Sequence, residues 1–363
     1  MKKITLISLL IFILNSCQNI GDTAILQKKL QPTWQKLFKN NYEDNSEIKV
    51  LIATNRLRKT ANFGCDDENF GVDFDKIISY GFCNIKVSKL HEIGNISSPK
   101  DNKENDNFKI INSQNFSELE FFNELKNNSI TPLVFVHGFN VRYKEAIFRA
   151  SQIAYDLKYQ GPIILFTWPS GAKDGFFEEA MLNKTYELNA QNVKSSIEPF
   201  VKFLEGFKKN NIKINLMIHS MGHQLALEAI NKISKNSSQE ILINELFLNA
   251  PDYEAQGFKS IVSNIKKITN HITIYCSTND KAMIASKIFN KNDRLGACAN
   301  IDEIDVINVS GIDDSSMGLG HGYYSSRSII GDMFLTLIGI DVKQRLFIVK
   351  SSKLQSEKYI LRK

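Results

Sequence analysis

The stretch IKINLMIHSMGHQLALEAI, residues 212–230, decides how this chain folds. Ile212–Ile218 is a short, mostly apolar run, which predicts a strand covered on both faces. From Gln224 the apolar residues recur at helical spacing, which predicts a helix to Ile233. Between the two, His219-Ser220-Met221-Gly222 has room only for a tight turn. A serine on such a strand-to-helix turn carries its hydroxyl out at the end of a sheet, the pattern of a nucleophile elbow. The turn demands small neighbours, and Gly222 meets that demand two residues after Ser220. Ile218, two residues before, does not, because a branched side chain there crowds helix against strand.

Outward from this stretch the same alternation repeats. Strands are predicted at Leu133–Val136, Ile163–Thr167, Glu245–Asn249, Ile272–Cys276 and Ile304–Val309. Helices are predicted at Lys144–Tyr159, over Tyr186–Phe207 as one long element, and near 255–267, 280–289 and 325–338. Upstream, Ile48–Ala53 and Tyr80–Leu90 read as strands and 117–127 as a short helix, while 57–76 and 94–116 are polar and read as loops. The fold class is α/β, a mostly parallel sheet with helices on both faces plus a small N-terminal β-containing extension. The expected division is a leader at 1–16, a tether at 17–46, the extension at 47–128, the main domain at 129–345 and a C-terminal tail at 346–363.

In such sheets ligands bind beyond the carboxyl ends of the strands. Ser220 sits at one such end. His137-Gly138-Phe139-Asn140 sits at another, where a loop N–H can serve as an oxyanion donor. The expected donors are the N–H of Phe139, or of its neighbour Asn140, and the N–H of Met221 after the nucleophile. A serine needs a base, and the base a carboxylate to orient it. Asp280 follows the strand ending at Cys276, and His321 lies in the glycine-rich stretch Gly318–Gly322 after the last of these strands. That gives the order Ser220, Asp280, His321. Asp252, after the strand ending at Asn249, is the alternative acid. His137 reads as a loop brace, and His91 and His271 as surface positions. Trp168-Pro169-Ser170 lies at the mouth of the site or in the core. The loop at 171–185, with Phe176, Phe177, Met181 and Leu182, is either a lid or a helix packed on the core.

The N-terminus carries a different signal. Lys2 and Lys3 precede an apolar run, Ile4–Leu14, that is too short to span a bilayer but suits a signal peptide. It ends Leu14-Asn15-Ser16-Cys17, which resembles a lipobox and makes Cys17 the expected lipidation site. By resemblance to sorted lipoproteins, Gln18 after Cys17 does not look like an inner-membrane retention signal, so the expected location is the periplasmic side of an outer membrane. Export implies an oxidising compartment. Cys65, Cys83, Cys276 and Cys298 then allow three pairings; proximity in sequence favours Cys65–Cys83 and Cys276–Cys298 without deciding it. The net charge of +6 is scattered among acidic and amide residues, which argues against a nucleic-acid partner. No ligand spacing points to a metal, and no motif to an organic cofactor.

These segments together resemble the bacterial α/β-hydrolases catalogued as a domain of unknown function, DUF900. The matching pieces are ATNR at 53–56, VFVHGFN at 134–140, FTWPS at 166–170, HSMG at 219–222, NAPD at 249–252, STNDKA at 277–282 and GLGH at 318–321. The resemblance implies an α/β-hydrolase fold with Ser220, Asp280 and His321 as its catalytic residues. Ile218 departs from the family's small residue. The expected activity is hydrolysis of a small acyl ester or lipid through an acyl-Ser220 intermediate. The alternatives are a non-catalytic scaffold lipoprotein and an acyltransferase using the same three residues.

Overall fold

The computed structural model describes residues 47–88, 91–96, 108–126, 128–172, 182–235, 240–312, 321–351 and 359–362. Along the chain these form β1 (Glu47–Arg58), β2 (Phe70–Val87), β3 (Phe108–Phe116), α1 (Glu118–Lys126), β4 (Leu133–Val136), α2 (Tyr143–Asp156), β5 (Ile163–Thr167), α3 (Leu182–Ser195), α4 (Ile197–Lys209), β6 (Ile214–His219) and α5 (Gly222–Lys235). They continue as β7 (Ile243–Asn249), α6 (Ala255–Ile265), β8 (Thr269–Cys276), α7 (Lys281–Asn290), β9 (Asp305–Asn308), α8 (Arg327–Leu337), β10 (Ile348–Lys350) and β11 (Tyr359–Leu361).

All the strands share one sheet, in the order β10-β11-β9-β8-β7-β6-β4-β5-β1-β2-β3. The run from β11 to β1 is parallel, and β2, β3 and β10 add antiparallel edges. Successive side chains of a strand point to opposite faces, and both faces here are dry. From β6, Leu216 and Ile218 enter one apolar cluster with α1, α4, α5 and α6, while Met217 enters a second with α2 and α8. The first cluster is dense in phenylalanine: Phe121, Phe122, Phe166, Phe200, Phe203 and Phe207 are all buried. Each such ring contributes about 1.5–3 kcal/mol on burial.

Three expectations are corrected. The predicted helix over 186–207 is two helices, α3 and α4, parted at Ser196. Pro199 has no N–H for the carbonyl of Ser195, and the Ser196 hydroxyl bonds back to Asn192 O at 2.7 Å. Residues 108–116, expected as loop, are the edge strand β3; apart from Ile111 its exposed side chains, Lys109, Asn112, Gln114 and Asn115, are polar and meet water. Part of the expected 57–76 loop belongs to the paired ends of β1 and β2. The expected β-containing N-terminal extension is present and continues the main sheet, β1 pairing in parallel with β5 from Val50 to Thr54, while residues 346–363 supply β10 and β11.

Two disulfides are present, Cys65–Cys83 and Cys276–Cys298, with Cα separations of 6.1 and 5.1 Å. The second ties the end of β8 to residues 295–298, beneath the loop that carries Asp280. Among the described residues no helix is long and apolar enough to cross a membrane. Cys17, the tether, the residues Phe176, Phe177 and Met181, and Gly318 and Gly320 lie outside the described residues.

Candidate active site

β6 ends at His219, and the chain reverses into α5 through Ser220, whose φ is +51°. A non-glycine residue in that region costs about 1–3 kcal/mol and persists only where its surroundings over-determine it. Here they do. Ser220 N–H donates to Asn249 O at 3.1 Å. The Ser220 carbonyl accepts from His223 N–H at 3.1 Å, Asp252 N–H at 3.3 Å and the His223 ring Nδ1 at 2.7 Å. Burial holds His223 down at about 3, so its ring is neutral and donates from Nδ1.

Ile218 does not prevent the turn. It is fully buried beside Met221 and Leu225, opposite Val136 of β4. The close approach falls on two glycines instead. A Cβ at Gly222 would lie 2.5 Å from His137 O, and one at Gly138 would lie 2.7 Å from Ser220 Cβ. The loop after β4 is therefore pressed directly against the serine.

Ser220 Oγ lies 2.7 Å from His321 Nε2, and His321 Nδ1 lies 2.7 Å from Asp280 Oδ2. Three side chains separated by up to 101 residues thus form one hydrogen-bonded line. Asp280 is fully buried and also caps α7, its Oδ1 accepting from Ala282 N at 3.0 Å and Met283 N at 3.1 Å. With Oδ2 accepting from Nδ1–H, the free lone pair of the imidazole sits on Nε2, facing the serine hydroxyl.

The alternative acid, Asp252, is engaged elsewhere. Its Oδ1 accepts from Arg294 Nε at 2.7 Å and Ser286 Oγ at 2.5 Å, so it anchors α7 and the 294 segment rather than His321. Among the described residues, neither Phe139 N–H nor Met221 N–H has an acceptor within the protein. Asn140 N–H is taken by Asn189 Oδ1 at 3.3 Å, which leaves Phe139 as the loop donor.

A layer of residues lies behind this line, and the parts that Arg56 and Asn189 play in it carry no signature in the sequence. Arg56 is buried, and its donors reach Thr167 Oγ1 at 2.9 Å, Gly71 O at 2.9 Å, Ser170 O at 2.8 Å and Val141 O at 2.8 Å. Burial pushes its guanidinium down to about 9, with the charge of Asp67 pulling against that shift. His137 donates Nδ1–H to Gly138 O at 3.0 Å and accepts at Nε2 from Thr167 Oγ1 at 2.9 Å. Burial and the nearby Arg56 charge hold it at about 3, neutral. Trp168 is a core residue that stacks on His137 and donates to His137 O at 2.9 Å. Asn189 of α3 clamps Ser170 and Gly171. His219 packs its ring 4.0 Å from that of Tyr324 and donates Nε2–H to His321 O at 3.3 Å. Burial keeps its ring neutral.

The surface reading of His91 is corrected: its side chain is buried against Asp156 at 2.7 Å. His271 is partly exposed and bridges Glu245 and Asp305 at 2.6 and 2.9 Å. Both partners come from other elements, so sequence spacing gave no sign of them. Among the described residues no group of three or more His, Cys, Asp or Glu side chains converges as a metal site requires.

A parallel sheet wrapped by helices, with a serine, a histidine and an aspartate aligned at its strand ends, defines the α/β-hydrolase class. Residues 114–339 match the model of the family described as an alpha/beta hydrolase of unknown function, DUF900, and the chain belongs to that family. Comparison with curated proteins finds no match. The family points to hydrolytic chemistry and leaves the substrate open.

Proposed function

We propose that the protein is a serine hydrolase that cleaves carboxylic esters through an acyl-Ser220 intermediate. The observation that carries this reading is the unbroken line from Ser220 Oγ to His321 Nε2 to Asp280 Oδ2, 2.7 Å at each step. As the Ser220 oxygen bonds to the ester carbonyl carbon, its proton passes to His321 Nε2. Charge on the former carbonyl oxygen is met by the N–H groups of Phe139 and Met221, each typically worth about 3–4 kcal/mol. His321 then gives the proton to the departing alkoxide, the C–O bond breaks, and alcohol leaves. Water repeats the sequence on the acyl-enzyme: His321 takes its proton, hydroxide adds to the carbonyl, and the proton returns to Ser220 as the acid departs. Asp280 holds the ring in the required tautomer throughout.

A fluorophosphonate probe tests the nucleophile, since the serine oxygen displaces fluoride from phosphorus only if it is activated. Wild-type protein is expected to label and Ser220→Ala not to. No labelling of the folded wild type defeats the proposal. The same reading keeps the chain as an exported lipoprotein held to a membrane through Cys17. Loss of membrane association in Cys17→Ala checks that part.

A further inference from the structure

We propose, resting on the serine-hydrolase reading, that Ser170 and Asn189 are positioning residues for that reaction: they hold the peptide planes on either side of Phe139 so that the Phe139 N–H faces the oxyanion. In a trans peptide the C=O and N–H point in opposite directions, and no cis peptide occurs among the described residues. Whatever takes the Gly138 carbonyl therefore decides where the Phe139 N–H points. That carbonyl is turned into the protein, where His137 Nδ1–H donates to it at 3.0 Å and the Ser170 hydroxyl lies 3.0 Å away. Both of those side chains are buried. The Phe139 N–H is left on the opposite edge of the peptide, without an acceptor among the described residues. Gly138 itself is packed on Ser220, since a Cβ there would lie 2.7 Å from that of the serine.

The next peptide is fixed from α3. Asn140 has a φ of +55°, and its N–H donates to Asn189 Oδ1 at 3.3 Å. A non-glycine residue in this left-handed region stays there only where its surroundings over-determine it. Asn189 is fully buried and supplies that constraint. Its Oδ1 also accepts from Gly171 N–H at 3.0 Å and lies 2.8 Å from the Ser170 hydroxyl. Its Nδ2 donates to Gly171 O at 3.0 Å and Thr185 O at 2.8 Å. One side-chain amide thus joins the loop after β4, the loop after β5 and α3. Val141 N–H closes the ring by donating to Ser170 Oγ at 3.2 Å. Once Ser170 and Asn189 are gone, the Gly138 carbonyl keeps only His137 and Asn140 loses its support. The 138–139 peptide is then free to rotate its N–H away and turn a carbonyl toward the developing negative charge.

An N–H aimed at the oxyanion stabilises the transition state and not the bound ester, so misaiming it lowers kcat and leaves KM in place. Deleting a whole oxyanion donor costs about 10²–10³-fold in kcat, and misaiming one costs part of that. The test uses the full mature chain and p-nitrophenyl butyrate, with Tm measured on the same preparations. Ser170→Ala is expected to lower kcat at least about tenfold and Asn189→Ala at least about thirtyfold, with KM within about twofold of wild type. Affinity for a trifluoromethyl ketone, whose adduct with Ser220 carries the same oxyanion, should fall in parallel with kcat. Ser151→Ala is the control: it removes an equally buried hydroxyl, bonded to Ile147 O at 2.9 Å within α2, and keeps the wild-type kcat whatever its Tm. Should Asn189→Ala not fold, Ser170→Ala decides alone. A smaller loss in Ser170→Ala, or a loss that appears in KM rather than in kcat and ketone affinity, overturns this inference. The hydrolase reading then still stands if the wild type labels with fluorophosphonate. Absence of labelling overturns both.

Discussion

Asp280 performs two tasks with two oxygens, and a single substitution separates them. Oδ1 caps α7 through Ala282 and Met283, while Oδ2 accepts from His321 Nδ1. Asp280→Asn keeps an oxygen for the cap, and asparagine caps helices as well as aspartate does. It places an amide N–H₂ where Oδ2 stood, however, opposite a ring N–H. The ring escapes that clash by moving its proton to Nε2, where it can no longer accept from Ser220. The expected loss is about 10⁴-fold in kcat, or about 5 kcal/mol of barrier. Folding should shift by less than about 1 kcal/mol, which for a chain of this size is no more than about 3 °C in Tm. Asp280→Ala loses both tasks and should fall further in Tm. Ester hydrolysis, fluorophosphonate labelling rate and thermal unfolding on the same preparations decide the matter. Asp280→Asn activity within tenfold of wild type, at unchanged Tm, refutes an orienting role for Asp280.

Three other perturbations probe the surroundings of this line. Gly222→Ala forces a methyl to 2.5 Å from His137 O and should slow fluorophosphonate labelling of Ser220 at least about tenfold while lowering Tm, because either the elbow or the oxyanion loop must move. Arg56→Met leaves the carbonyls of Gly71, Ser170 and Val141 without a donor and should cost about 3–5 kcal/mol in denaturant unfolding. Arg56→Lys should recover only part of that, since one ammonium cannot reach all of these acceptors. For His271, burial opposes the charge, but hydrogen bonds to Asp305 and Glu245 and their negative charges outweigh it and raise the ring to about 9. A group raised on folding stabilises fully below its unfolded value near 6.5 and loses that contribution as pH climbs through about 9. The Tm difference between wild type and His271→Gln should therefore shrink between pH 6.5 and 9, and a difference that stays constant refutes the charged bridge.

The parallel core and the order in which Ser220, Asp280 and His321 follow its strands were legible in the amino-acid sequence alone. Val134–Val136, Ile163–Phe166 and Leu216–Ile218 are apolar on both faces, a property of the residues themselves that needs no partner to be read. Ser220, Asp280 and His321 stand at strand ends that such runs announce, and Gly222 and Gly138 are the small residues their crowding demands. The remaining features emerge on folding, because each depends on a partner far away in the chain. β3 is mostly polar at its exposed positions and becomes a strand only by pairing with β2. Ser196 ends a helix that periodicity carries straight through, in part because Asn55 on β1 bonds to its hydroxyl. Asp252 and Asp280 look alike as acids after strands. Arg294 claims one and His321 the other, and that choice is made by folding rather than by local pattern. Arg56 reads as one more surface cation until Gly71, Val141, Thr167 and Ser170 close around it, over separations of up to 114 residues.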